Sequence, residues 1–213
     1  MSPFFIQIAA IYMDGALLEK ITGKPYEQLM AEEIFEPMTL HTAGFGPPVK
    51  SDPKNQPIGH SGLFRSPHAE DFPEYMAPTA VIHISINDWA KFILFHLGID
   101  TETEVHLDSK TLSILHSPPD SATWRAGSEE KGYGIPSLNY ALGWYTLDID
   151  NKDGLLWHPG GNSGFIAQVI LDPDRKNAIL VVTNVRTSHR HLFKAMNRIK
   201  EHYSSKADLP GIN

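Results

Sequence analysis

The segment best suited to chemistry is a glycine-rich turn that follows a histidine, residues 157–165 with the sequence WHPGGNSGF. His158 ends one predicted strand, and a return strand begins near Phe165. Gly160 and Gly161 allow a ligand to approach the backbone closely, which suits a site where main-chain N–H groups face a substrate carbonyl. Taken alone, such a hairpin more often has a structural role, so its meaning depends on the elements around it.

The last third of the chain predicts the sheet that would hold this turn. Strand-like runs occur at 140–149, 154–158, 165–171 and 178–184, and turn sequences rich in Asp, Asn, Gly and Pro separate them. Such short connections predict antiparallel neighbours. A helix after Ser188 then carries an apolar stripe that can cover one face of the sheet, formed by Leu192, Phe193, Met196, Ile199 and Tyr203.

The earlier part of the chain predicts helices. Helical spacing of apolar residues indicates helices at 4–21 and 25–36, and Ser85 with Asp88 forms a capping-box pattern before a third helix. A shorter helix is predicted at 108–115, while the many prolines between 44 and 78 exclude a long regular element there. We therefore expect an α+β fold, with a mainly helical region at 1–135 and an antiparallel sheet plus C-terminal helix at 136–213, packed as one compact unit.

Composition excludes several functional classes. The 213 residues hold 18 basic and 25 acidic side chains, a formal charge of −7, and no clustered basic face for a nucleic acid. Cysteine is absent, which excludes disulfides and Cys-ligated zinc. His189 and His191 do not share a helical face, so neither a metal nor another cofactor is predicted.

The chain is also predicted to be soluble. No stretch approaches the roughly 20 apolar residues of a membrane span. The apolar start at Phe4 lacks a basic leader and a cleavage site, so no signal peptide is predicted in this chain and the cytoplasm is weakly favoured, with the compartment left open.

Several segments together resemble the serine β-lactamase-like hydrolases, the group of class C β-lactamases, penicillin-binding proteins, D-peptidases and related esterases. Residues 140–144, 158–165 and 181–184 are similar to the final strands of that family. Residues 18–26 with 34–38, and 78–92, resemble its helical segments, although Ala80 and Val81 stand where glycines are usual. The resemblance runs from about residue 15 to about residue 200 and implies a β-lactamase/transpeptidase-like fold, truncated at the N-terminus.

The resemblance also implies site residues. His158 and Gly160 match the Lys/His-x-Gly motif of the active-site strand, and Gly161 matches the residue whose N–H forms half of the oxyanion hole. Asn162 and Ser163, with Trp124 from a polar loop, are expected on the substrate side. The expected ligand is a small acyl compound or a peptide.

The nucleophile of that family does not appear where the resemblance requires it. Its Ser-x-x-Lys motif should precede Thr22, and none of the first 21 residues forms it. Ser51-Asp52-Pro53-Lys54 has the spacing, but its proline disfavours a capped helix. The position of the family's Tyr-x-Asn motif is occupied by Ile6-Gln7-Ile8, whose side chains cannot exchange a proton. Ser61 is not followed two residues later by the glycine that a lipase nucleophile elbow requires.

Two functions follow as hypotheses. In the first, the chain is the C-terminal part of a serine hydrolase for β-lactam, D-peptide or ester bonds, inactive or incomplete by itself. In the second, it is a non-catalytic binding or interaction module on a hydrolase scaffold. Under both hypotheses, the sheet keeps an unpaired edge and the first helix keeps an uncovered apolar face. We therefore expect a homodimer or an exchanged-segment assembly, with Phe4, Phe5, Ile6 and Ile8 near the contact.

Overall fold

A computed structural model describes residues 3–48, 56–62, 64–68, 72–99, 103–119, 123–124, 138–149, 152–162, 164–186 and 189–204. The chain divides into two compact units. The first comprises residues 1–107 with the strand ends at 160–166 and 183–186, and the second comprises 108–159, 167–182 and 187–213. The boundary expected at residue 135 falls among residues outside the described ranges and stays a prediction.

Helices dominate the first unit. Helix α1 is Pro3–Thr22, α2 is Tyr26–Met30 and continues as a π-helical turn over Ala31–Phe35, and α3 is Ala77–Ala80. Gly15 permits the close approach of α1 to α3, because a Cβ at that position would lie 2.4 Å from Cγ of Pro78. Phe35, Met38 and Leu40 form the centre of a small apolar core that follows α2.

Helix α4, Ile86–His96, begins at the predicted cap. The Ser85 hydroxyl accepts a hydrogen bond from the Asp88 N–H at 3.3 Å. The Asp88 carboxylate, only 6% exposed, accepts from the Thr42 N–H at 2.8 Å, from the Thr42 hydroxyl at 2.6 Å, and from Lys91 Nζ at 2.7 Å. Although burial alone would raise the pKa of Asp88, the hydrogen bonds from Lys91 and Thr42 outweigh it and lower that pKa to about 2.

The described residues of the proline-rich region form no long element, as predicted, but they do form short strands. Strand β1, Gly44–Phe45, pairs antiparallel with β4, Ile82–His83. Strand β2, Gly59–Ser61, pairs antiparallel with β3, Ser66–His68. A 3-10 turn at Glu74–Met76 precedes α3. Ser61 is thus the last residue of strand β2.

The second unit holds most of a six-stranded sheet. Its strands are β5 (Thr123–Trp124), β6 (Leu138–Tyr140), β7 (Tyr145–Ile149), β8 (Lys152–Asn162), β9 (Phe165–Asp172) and β10 (Asn177–Thr183). They lie in the order β10-β9-β8-β7-β6-β5, and β5 to β8 pair antiparallel. Short turns make neighbours in sequence neighbours in the sheet.

Two helices complete this unit. Helix α5, Ser109–His116, is capped by Asp108, whose carboxylate accepts from the Thr111 N–H at 2.7 Å. The C-terminal helix α6, His189–Ser204, packs Phe193 against Trp157 of β8, with ring centroids 5.9 Å apart. Phe193 thereby joins a buried cluster on one sheet face with Leu138, Tyr145, Leu147, Leu155 and Trp157. The predicted α+β arrangement of helices, antiparallel sheet and covering C-terminal helix is confirmed.

Candidate functional site

Strand β8 positions His158 on the sheet face opposite the covering helix. Successive side chains in a strand alternate between faces. Trp157 is buried and packs on Phe193 of α6, so the side chain of His158 projects from the other face, where it reaches solvent. The register that pairs Tyr145 with Trp157 brings the start of β7 beside His158.

Two aromatic rings lie near the imidazole of His158, and one of them, Tyr145, belongs to the buried cluster on the covered face. The ring of Trp144 lies 6.4 Å from it, edge to face at 85°, and the ring of Tyr145 lies 6.2 Å from it at 42°. Desolvation by the surrounding protein lowers the pKa of His158 from 6.5 to about 4. The imidazole is therefore neutral at pH 7, so His158 offers a hydrogen bond and not a positive charge.

Gly160 leaves open space beside the backbone that follows His158. Its φ is outside the left-handed region, and a Cβ built on it would meet no atom of the described residues within 4 Å. Neither the backbone conformation nor packing against the described part of the chain therefore requires glycine at this position. Gly161, still within β8, is exposed. A flat group can thus approach the main chain of both glycines, which is what a site that binds a carbonyl through backbone N–H groups needs.

The end of the turn belongs to the first unit and contacts other segments of that unit. Asn162, at the end of β8, donates from Nδ2 to the Ala80 carbonyl at 2.5 Å. Gly164 has φ +80°, and a Cβ there would lie 2.5 Å from the His60 nitrogen and 2.6 Å from the Gly59 carbonyl carbon. Asn162 and Gly164 thus hold the turn against α3 and β2, respectively.

Strand β2 is a structural neighbour of the turn that sequence reasoning missed. The His60 N–H donates to the Asn184 carbonyl at 2.7 Å, and the Arg186 N–H donates to the His60 carbonyl at 2.7 Å. The Asn184 side chain donates to the Ile58 carbonyl at 3.1 Å. These contacts join residues more than 120 positions apart in the chain. A strand of three residues carries no periodic pattern. The local signals for β2 in the sequence are Gly59, at its start, and Gly62, in the turn that follows it.

The remaining predicted site residues lie in different places. The prediction that Trp124 lies in a loop was wrong. Trp124 belongs to the edge strand β5, opposite Leu138. Ser163 lies outside the described residues, as does Ser51-Asp52-Pro53-Lys54. The backbone of Ile6-Gln7-Ile8 is helical, within α1. The structure therefore places His158, Gly160, Gly161 and Asn162 along β8 and Trp124 on β5, and whether Ser163 lines the same site stays a prediction.

A second Ser-x-x-Lys, Ser128-Glu129-Glu130-Lys131, was overlooked in the sequence reasoning. It too lies outside the described residues, and it follows α5, whereas the family resemblance requires the motif before Thr22.

Across the described ranges, no group of three or more His, Asp or Glu side chains is arranged to hold a metal ion. Nor does any helix in that part of the chain have the length and apolar content needed to cross a membrane.

Comparison with known proteins gives one family. The sequence model of the family described as Beta-lactamase matches residues 8–203. Protein flp of Staphylococcus aureus (strain MW2) is 24% identical over 183 residues, which are 82% of this chain and 32% of that protein. The chain thus spans about a third of the length of the curated relatives it matches.

Solved structures give the same fold. An octameric penicillin-binding protein homologue from Pyrococcus abyssi has a TM-score of 0.66 at 15% identity, covering 88% of this chain and 40% of that one. A class C β-lactamase has a TM-score of 0.66 at 15% identity, covering 97% and 57%. A β-lactamase/D-alanine carboxypeptidase from Pseudomonas syringae has a TM-score of 0.66 at 14% identity, covering 90% and 57%.

These matches confirm the family resemblance, and the class C β-lactamase structure is covered over about half of its length. At such low identity the solved structures support the fold alone. Because the family model matches nearly the whole chain, residues 8–203 of 213, this protein belongs to the Beta-lactamase family.

Proposed function

We propose that this chain supplies the oxyanion-side wall of an acyl-binding site, for a small acyl compound or peptide with a β-lactam, D-peptide or ester bond. The observation that carries the proposal is the open space at Gly160, a glycine that the fold does not require, two residues after His158. In this assignment the Gly161 N–H donates to the substrate carbonyl oxygen, and His158 borders the site as a neutral hydrogen-bonding group. One such backbone donor is typically worth about 3 to 4 kcal/mol of transition-state stabilisation.

We propose further that the 213-residue chain binds such compounds without turning them over. Acyl transfer needs an activated hydroxyl beside a base, and the family's position for the Tyr-x-Asn motif holds Ile6 and Ile8. Neither Ser51 nor Ser128 follows the family's order of motifs. Loss of a nucleophile leaves at most the residual acceleration of binding and oxyanion contacts, about 10³ to 10⁴ over water.

A titration and a turnover assay on the same protein test this function. Acyl esters, β-lactams and D-Ala-D-Ala peptides are titrated while Trp fluorescence is recorded, because Trp144 contacts the His158 ring. We expect saturable binding that Gly160→Val weakens at least about tenfold by filling the open space. Ala195→Ser, an exposed change on α6, is the control and should bind as the unmodified chain does.

Two results would contradict the proposal in different ways. Binding that is absent across the panel, or unaffected by Gly160→Val, removes the acyl site. Turnover of a chromogenic β-lactam or a p-nitrophenyl ester that His158→Ala abolishes would keep the site and overturn the claim of inactivity.

The second candidate, a non-catalytic interaction module, is favoured by the isoleucines at the acid-base positions. It shares the expected binding without product. Translation of the DNA upstream of Met1 separates the two, since a Phe-x-x-x-Ser-x-x-Lys segment there indicates a hydrolase whose nucleophile is encoded before this chain.

We also propose self-association through α1. Its exposed side chains include Met13, Leu17 and Ile21, with Met13 69% and Ile21 71% exposed. Apolar surface of this kind tends to be buried by another chain, and one protein of the same fold is described as octameric. Light scattering should give a dimer or larger species that Leu17→Glu with Ile21→Glu dissociates; a monomer at all concentrations contradicts it.

A further inference from the structure

A cavity of about 140 Å³, open on one side to solvent, lies in the first unit, remote in sequence from the β8 turn. Residues from α1, α2, the 3-10 turn before α3 and α3 itself line it, among them Tyr12, Glu19, Tyr26, Glu27, Tyr75 and Pro78. Cavities of about 150 Å³ in proteins hold a molecule the size of benzene. The cavity is therefore large enough for a small organic group.

Three tyrosines give this cavity aromatic walls. The rings of Tyr12 and Tyr75 are 6.5 Å apart and perpendicular, at 89°. The ring of Tyr26 packs against the ring of Phe45, with the two centroids 6.2 Å apart. The electron-rich face of an aromatic ring attracts a cation, and several rings around one space form the cage that recognises quaternary ammonium groups.

Two carboxylates give the same cavity negative charge. Glu19 is held by the Tyr26 N–H, which donates to its Oε1 at 2.8 Å. Burial raises the pKa of the Tyr26 hydroxyl, and the negative charge of the nearby Glu27 raises that pKa further. Among the described residues that line the cavity none is lysine or arginine, and the nearby Lys24 pairs with Glu32.

We propose that this cavity binds a small organic cation that carries a quaternary or methylated ammonium group, such as choline. The tyrosines supply cation–π attraction and the apolar contact that a methylated ammonium requires, and Glu19 and Glu27 supply the opposite charge. The two carboxylates repel an anion, and a neutral apolar molecule would gain nothing from them.

Choline and its uncharged analogue test the proposal directly. The full chain is titrated with choline chloride and with 3,3-dimethylbutan-1-ol, which has the same shape without the charge, at constant ionic strength, with calorimetry or tyrosine resonances in NMR as the readout. We expect saturable choline binding and at least about tenfold weaker binding of the alcohol. Equal binding of the two compounds, or no saturable binding of choline, overturns the proposal.

Matched variants assign the site. Tyr75→Leu removes one ring from a residue that is 66% exposed, so the fold should tolerate it, and we expect choline to bind about fivefold more weakly. Phe64→Leu, also exposed but not lining the cavity, is its control and should have no effect.

Glu19→Gln keeps an oxygen acceptor for the Tyr26 N–H while removing the charge, and it should weaken choline binding by a similar factor. Its control is Glu33→Gln, an exposed glutamate outside the cavity. Choline binding that both cavity variants leave unchanged would place the ligand elsewhere and contradict the assignment. Neither result depends on the acyl site at Gly160.

Discussion

Gly160 and Gly164 lie on either side of the turn from β8 into β9, and only one of them is required by the fold. Gly164 has φ +80°, and its missing Cβ makes room for the backbone of Gly59 and His60. Gly160 has an ordinary backbone conformation and open space where a side chain would be. Both residues are glycines, and they differ in backbone conformation and in the atoms that surround them.

This difference separates a structural glycine from a candidate ligand-facing one. Packing accounts fully for Gly164, since any side chain there meets backbone atoms that cannot move aside independently. Packing leaves Gly160 unexplained, and the approach of a ligand to the main chain is a physical reason for a glycine in such a place. The comparison thus supports the acyl-binding proposal with an observation independent of family membership.

The largest expected effect is that of Gly164→Ala. The new Cβ would lie 2.5 Å from the His60 nitrogen in a left-handed conformation, so β2 must move away from the turn. Strain and overpacking together should lower the free energy of unfolding by about 2 to 4 kcal/mol. Urea unfolding measures it, and a change no larger than that of Gly160→Ala would remove the distinction between the glycines.

An intermediate effect is expected at Asp88, which is required by the fold but has no part in the turn. Asp88→Asn places an N–H group against the Thr42 and Lys91 donors, and it should cost about 2 kcal/mol at pH 7. Because the pKa of Asp88 in the folded chain is about 2, below its ordinary 3.8, the wild-type advantage is complete above about pH 4 and disappears as the pH falls towards 2.

Urea midpoints of Asp88→Asn and of the unmodified chain at several pH values between neutrality and pH 2 would show this convergence. Asp174→Asn, an exposed change in the turn after β9, is the control and should leave the midpoint unchanged. A gap between the two midpoints that stays constant down to pH 2 would show that the Asp88 charge does not stabilise α4.

The smallest effect on stability is expected for Gly160→Ala. Its Cβ enters open space in a strand, where alanine is favoured over glycine, so the free energy of unfolding should change by less than about 1 kcal/mol, towards greater stability. The same variant should weaken acyl-ligand binding in the fluorescence titration. Marked destabilisation would mean that packing, and not a ligand, accounts for Gly160.

The longer helices and the strands β7 to β10 could be predicted because their signals are local. Ser85 and Asp88 lie three residues apart, and the cap they form is the one the pattern predicted. The partners of Asp88 could not be predicted, since Thr42 is 46 residues away and no local pattern connects the two. The short strands β1 to β4 escaped prediction for a related reason, because two or three residues carry no measurable period.

The candidate site shows the same division. The order of residue types in His158-Pro159-Gly160-Gly161-Asn162 predicts a candidate site at this turn. It did not reveal that Asn162 is tied to Ala80, or that Trp124 belongs to a paired edge strand. Those contacts depend on which distant segments come to lie beside β8 and β6.

The sequence by itself determined the helices, the antiparallel strands, the family resemblance and the position of the histidine-glycine turn, because periodicity, capping and turn chemistry act within a few residues. Only the tertiary structure decided which glycine packs against backbone and which borders open space, and that three tyrosines and two glutamates from α1, α2 and the segment before α3 share one cavity. The physical reason is that excluded volume and charge act between neighbours in space, and the neighbours of Gly160, Gly164 and Glu19 are set by chain segments that local patterns do not connect.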